Sequence, residues 1–341
     1  MNLFLILLLI LILIININKK PKIESFENKN NLNQIIIKQK IKKIKYNPEN
    51  IINEFKNSKN SSLILLEIKN NNLIVREKKG INPKVHIKRI NYITSIIKET
   101  LLNHKISDII FIVSLRDNLP NLNIPYLGPV YEKGKSSIAI PNNWWSYFTK
   151  SDNRIFQPGN FDKVIQEYKD KGGNMNVKSN NMNVKSNNKK IVFRGSNNCD
   201  LRRKVKNLAK NKNFLDVELP KGKNDSTFIP NDKLVSEYQY YFVLRGRGRW
   251  TGSINQFSLA NGVLFKVEED SKQPIELFLE PEVDYISIKN DLSDFEEKVL
   301  LSKDKKLMEK MKNNLKRKSD IFFKSENIMY YMYLCITNLY Q

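Results

Sequence analysis

The chain has 341 residues, 40% hydrophobic and 10% aromatic, enough to bury a core and to exclude wholesale disorder. Its 58 basic and 35 acidic residues leave a net charge of +23, which raises a nucleic-acid or anionic-surface reading, but the excess is lysine spread along the chain. Lysine comes here with abundant asparagine and isoleucine, residues that share A/T-rich codons, so genome composition accounts for much of the charge. Two distant cysteines (Cys199, Cys335) and two histidines (His86, His104) exclude a disulfide framework and a zinc pattern and leave little material for a histidine-based triad.

The first element is an unbroken apolar run over residues 3–15. As a helix it spans about 20 Å, short of the roughly 30 Å core of a bilayer. It reads as a signal-peptide core or a short signal anchor. No small-residue cleavage site follows, which favours the anchor. The lysines at 19, 20 and 22 leave topology open. Residues 18–50 are rich in Lys and Asn and read as a stem. "SSLILLEIKNNNLIVRE" predicts a β-hairpin turning on its asparagines. "INYITSIIKETLLNHK" has helical spacing, "DIIFIVSLRDN" reads as a buried strand ending at Arg116 and Asp117, and "SSIAIP" is a short strand before the aromatic "NNWWSYF".

Residues 158–172 predict a helix closed by glycine. The repeat "NMNVKSN" at 174–180 and 181–187 reads as a duplicated surface loop and a seam between two halves. After it the pattern alternates: strand "KIVF", helix 200–211, strands "LDVEL" and "YQYYFVL", a helix from Ser253, strands "GVLFKV" and "YISI", then helices to the end. Such alternation predicts parallel α/β sheets, and two of them with a cleft between. The expected segments are 1–17 (anchor or signal peptide), 18–50 (stem), 51–155 (first lobe), 156–325 (second lobe) and 326–341 (C-terminal helix).

Parallel sheets bind ligands at the carboxyl ends of their strands. Asp117 follows one strand, Arg194-Gly195-Ser196 another, "RGRGRWTGS" (245–253) a third, and "ELFLEPEVDY" (276–285) lies between the last two. Glycine lets the chain turn close to a ligand, and the following helix offers free N–H groups to an anion. Ser196 and Arg202, six residues apart, offer a hydroxyl and a fork to a phosphate. Arg203, about 100° further round the helix, is expected to be solvated. Read singly, each junction is equally a solvated loop, and Asp117 equally a turn or helix cap. P-loop and GxGxxG spacings are absent from the sequence.

From about Ser62 onward the chain resembles glycosyltransferase family 90, the protein O-glucosyl- and O-xylosyltransferases with their capsule-associated and lipopolysaccharide-modifying relatives. The resemblance rests on an ordered set: "RDN" after a strand, the Pro141–Trp144 segment, "FRGS" with Arg202, "SEYQYYFVLRG", "VLFKVE" and "PEVDYISIKNDLSD". It implies two Rossmann-like lobes of GT-B type and an inverting, metal-free transfer of glucose or xylose from a UDP-sugar to a hydroxyl of a protein or polysaccharide. It implies no nucleic-acid partner, a secretory-pathway setting, and a membrane contact only through the N-terminal segment. Asp117 then matches the catalytic base. Arg194, Gly195, Ser196, Arg202, Arg247, Gly248, Arg249, Thr251, Gly252, Ser253 and Glu276 match the donor side, and Trp144 and Trp145 the acceptor side. The chain departs from the family where "TGSIN" replaces a Ser-x-Arg, where Asp284 stands for a histidine, and where lumenal cysteines are missing. Two alternatives stay open: a degenerate transferase that binds nucleotide sugar or glycan without turnover, and a basic protein that binds nucleic acid or an anionic surface.

Overall fold

A computed structural model describes residues 29–340 apart from 42, 61, 117, 142–154, 174–189, 247 and 249–250. The chain starts with α1 (residues 29–38) and α2 (Pro48–Asn57), then the strands β1 (Leu63–Lys69) and β2 (Asn72–Lys79). The hairpin forms where the asparagines predict it. Asn70 and Asn71 both take left-handed backbone, φ 50° and 61°, as a tight two-residue turn requires. Asp108 holds the turn by accepting from the Asn70 amide at 2.8 Å. After α3 (Pro83–Asn103) come β3 (Ile109–Ser114), β4 (Tyr126–Gly128), β5 (Tyr131–Glu132) and β6 (Ser137–Ala139).

The first sheet runs β2-β1-β3-β4-β6. It is mixed rather than parallel: β1 is antiparallel to both neighbours, while β3, β4 and β6 are parallel. The reason is the hairpin, because a two-residue connection can only join antiparallel strands.

The second half contains α4 (Pro158–Gly173), β7 (Ile191–Arg194), α5 (Asp200–Leu208), β8 (Leu215–Glu218), α6 (Asn231–Glu237), β9 (Tyr240–Val243), α7 (Gly252–Ser258), β10 (Val263–Val267), β11 (Ser271–Lys272), α8 (Pro274–Phe278), β12 (Ile286–Ile288), α9 (Phe295–Leu300), α10 (Lys305–Phe322) and α11 (Ser325–Thr337). Its sheet, β12-β10-β9-β7-β8, is parallel throughout. Both faces are buried, so its strands read as nearly continuous apolar runs. Ile191, Phe193, Phe242 and Phe265 pack to one side with Val205 of α5 and Met308 and Met311 of α10. Val192, Tyr241, Val243 and Leu264 pack to the other, in a core shared with the first half.

The halves are joined in three places. β5 pairs with β11 in an antiparallel ladder. α11 returns to the first half, where the Tyr331 hydroxyl donates to the Ala139 carbonyl at 2.8 Å and Tyr340 to that of Pro125 at 3.1 Å. The third tie corrects the expected stem. From residue 29 the chain is helical and buries Leu32 and Ile35 completely, because apolar residues three apart present one face to the core. Gln39, fully buried, accepts from the Ala139 amide at 2.7 Å and donates to Tyr331 Oη at 3.1 Å. Gln39→Ala leaves that amide and hydroxyl without their partner, and is expected to cost about 2 kcal/mol in urea denaturation. A loss below about 0.5 kcal/mol would return this segment to the role of a tether.

The apolar run 3–15, the tandem repeat, Asp117, Trp144, Trp145, Arg247 and Arg249 lie outside the described residues. Among the described residues no helix is long and apolar enough to cross a membrane.

Candidate functional site

The junctions that follow β7, β9 and β10 stand side by side, because those strands are adjacent in the second sheet. Arg202, on the first turn of α5, stitches two of them together. It is buried; Nε donates to the Arg245 carbonyl at 2.8 Å, Nη2 to that of Leu244 at 3.2 Å, and Nη1 to that of Ser196 at 3.0 Å. Its guanidinium lies 5.1 Å from the centre of the Phe193 ring. The glycines make room for it. A Cβ on Gly195 would stand 2.6 Å from Phe193 Cζ and 3.0 Å from Arg202 Nη1, and one on Gly246 would stand 3.3 Å from Arg202 Nη2.

The fork expected to take a phosphate is therefore engaged with backbone carbonyls. Arg194 is also turned to protein: it donates to the Asp216 carbonyl at 2.8 Å and to Asp216 Oδ1 at 2.7 Å, while Tyr238 holds Oδ2 at 2.5 Å. Arg203 lies on the exposed face as expected, bonded to Asp200 and Asn197. Ser196 stays exposed at the edge, its hydroxyl 3.4 Å from Arg202 Nη1, and the N-cap of α5, Cys199, supplies no side-chain cap.

Thr251 caps α7. Its hydroxyl accepts from the Ser253 amide at 3.4 Å and lies 2.8 Å from the Ser253 hydroxyl, both half-buried beside Gly252. Gly248 sits in the bend before them. Gln273 links this junction to the next by donating to the Thr251 carbonyl at 2.9 Å and accepting from Asn255 Nδ2 at 3.1 Å. Glu276 is engaged as well: Oε2 accepts from the Gln273 amide at 2.7 Å and Oε1 lies 3.2 Å from Lys266 Nζ.

Lys266, Glu268 and Glu269 are the residues that sequence reasoning missed. Lys266 lies inside β10, 2% exposed, with Glu268 Oε1 at 3.5 Å. Burial pulls its pKa down, but Glu276, Glu268 and Glu269 together hold it above the usual lysine value. The signal was present: a lysine inside the run "VLFKV", on a strand buried on both faces, demands carboxylate partners. Burial pushes Glu268 up, yet Lys266 and Lys272 win and lower it. Glu269 goes the other way, and burial raises it to about 7. Its Oε1 stands 3.0 Å from Arg245 Nε, at ion-pair distance, but without the alignment of a hydrogen bond. Burial thus outweighs the attraction of Arg245 and Lys266.

Around the junctions the edge thus carries exposed or half-buried hydroxyls (Ser196, Thr251, Ser253), helix N-termini and a buried Lys–Glu group, which can receive a polar, anionic ligand. Both histidines contact protein groups: His86 Nδ1 accepts from the Asn82 amide at 3.0 Å, and the His104 ring lies tilted against Tyr333, centroids 4.9 Å apart. Among the described residues no group of three or more His, Cys, Asp or Glu side chains that could hold a metal ion occurs. No protein-family model matches the chain, and comparison with curated proteins finds no significant match.

Proposed function

We propose that this chain is an inverting glycosyltransferase of GT-B type that moves a sugar, glucose or xylose, from a UDP-sugar to a hydroxyl of a protein or polysaccharide. One observation carries the reading: strand-to-helix junctions from β7, β9 and β10 stand together at the carboxyl edge of an all-parallel sheet. The family resemblance in the same stretches supports it. The diphosphate is bound by the α5 N-terminus and the hydroxyls of Ser196, Thr251 and Ser253, with Arg202 holding the loops that present them. Asp117, after β3, acts as base on the acceptor. No metal is required, and the apolar run 3–15 ties the enzyme to a membrane.

UDP, UDP-glucose and UDP-xylose are expected to raise the unfolding temperature of the chain, since ligand bound to the native state stabilises by mass action. Asp117→Asn keeps that shift while transfer falls about a hundredfold, the usual scale for a lost base. Transfer persists in EDTA. A chain that no UDP-sugar stabilises overturns the reading. The engagement of Arg194, Arg202 and Glu276 with protein groups favours a second reading, a nucleotide-sugar binder without turnover. It predicts the thermal shift with no transfer to any acceptor.

A further inference from the structure

Residues of α1, of the end of α8 with the loop after it, and of α10 line an open cavity of about 380 Å³. Its lining is cationic: Lys38 from α1, and Arg317 and Lys318 from α10, around the carboxylate of Glu280. Lys318 is fully engaged, donating to the Phe278 carbonyl at 3.2 Å and to Glu280 Oε1 at 3.2 Å, with Asp284 Oδ2 at 2.7 Å. Lys38 donates to the Leu277 carbonyl at 3.0 Å, which leaves two of its three N–H groups. Arg317 donates no hydrogen bond to any described residue, and neither do the amides of Asn31 and Gln34 on the opposite wall.

The convergence of charge is visible on Glu280. Its carboxyl lies below the usual range, through the hydrogen bond and charge of Lys318 and then the charges of Lys38 and Arg317. Glu280 and the buried Asp284 balance two of the three cations, so the described lining stays net positive, with a guanidinium fork at its wall that donates no hydrogen bond to a described residue. Ile35, Phe278 and Ile321 add an apolar surface beside that fork. This combination suits a phosphate group carried on an apolar body. The apolar run 3–15 lies just upstream. The residues between it and α1, 16–28, reach at most about 45 Å when extended.

We propose that this cavity binds a phosphate-bearing anion, the headgroup of an acidic phospholipid, through Lys38 and Arg317 with the Asn31 and Gln34 amides. Glu280 is then an internal competitor for the same cations. The site is separate from the carboxyl edge and uses none of its residues.

The test compares the full chain with Lys38→Glu/Arg317→Glu and with a control of equal charge change, Lys305→Glu/Lys306→Glu, on the exposed start of α10. Glycerol 3-phosphate is the soluble probe, read by calorimetry. Vesicles of phosphatidylcholine with and without phosphatidic acid are the lipid probe, read by flotation. The pocket variant should lose at least tenfold in affinity for glycerol 3-phosphate and lose the part of vesicle binding that depends on phosphatidic acid, while the control keeps both. Glu280→Gln should tighten both severalfold. Binding of the soluble probe without any dependence on phosphatidic acid keeps the phosphate site but overturns the lipid as its source. Equal losses in pocket and control variants, or no binding of either probe, overturn the proposal. Should the double variant misfold, Arg317→Ala alone removes an exposed side chain with no hydrogen bond to a described residue and carries the same expectation. No arm uses a UDP-sugar, so the outcome is independent of the glycosyltransferase reading.

Discussion

Arg202→Ala is expected to lower stability by about 3 kcal/mol, the scale of losing charge-assisted hydrogen bonds to several carbonyls at once. Three carbonyls, those of Ser196, Leu244 and Arg245, share this one guanidinium as a donor. Truncation leaves them without it at a junction closed by Gly195 and Gly246, and it removes the guanidinium from the face of Phe193. Arg202→Lys should recover only part of the loss, since an ammonium cannot span carbonyls from two strands as a planar fork does. Arg203→Ala, at a side chain 48% exposed, should cost less than about 0.5 kcal/mol. Urea denaturation of the three variants decides the matter. If Arg202→Ala matched Arg203→Ala, the stretch after β7 would be charge decoration. A fall in UDP affinity of Arg202→Ala without a fall in stability would restore the direct phosphate fork.

The second large effect concerns pH. Glu269 is raised from 4.5 to about 7 in the folded chain, chiefly by burial, against the attraction of Arg245 and Lys266 and with Glu276 adding repulsion. Lys272 also faces it, and Arg202 senses its charge. A raised carboxyl binds its proton more tightly in the folded state than in the unfolded one. Its contribution is therefore fully present below pH 4.5 and is lost as pH rises through 7, after which it is flat. The loss is about 3 kcal/mol, at about 1.4 kcal/mol for each pH unit. Glu269→Gln keeps the shape of the neutral acid and removes the titration. The stability of the variant relative to the parent should accordingly rise by about 3 kcal/mol between pH 4.5 and 8. Parallel pH profiles for the two proteins would show that Glu269 ionises at its ordinary value. Because Arg245 also lends its carbonyl to Arg202, nucleotide affinity should follow the same titration if Glu269 tunes the edge.

Local rules made a good part of this protein legible. The asparagine hairpin, the long helix before β3, α4 and the alternation of the second half all follow from apolar periods of two and 3.6 and from turn chemistry. Those signals act between near neighbours in the chain. They also placed Ser196, Thr251 and Ser253 at strand-to-helix junctions, and they separated the exposed Arg203 from the buried Arg202 by the helical repeat.

What each side chain does there was decided by strand order. β9 lies beside β7 although α5, β8 and α6 separate them along the chain, and this alone sets the Arg245 carbonyl against Arg202. Arg194 meets Asp216 because β8 is the other neighbour of β7. No spacing encodes such partners, since a guanidinium donates to any carbonyl or carboxylate brought within reach. Residues 18–50 misled for the same reason. Their composition is that of a tether, but the first half exposes a place for Leu32, Ile35 and Gln39 only once β6 and α11 are assembled. The sequence by itself thus determined many of the elements, the parallel second sheet and its strand-to-helix junctions. Only the tertiary structure decided which charges at those junctions are committed to the fold, because burial and pairing depend on contacts between strands far apart in the chain.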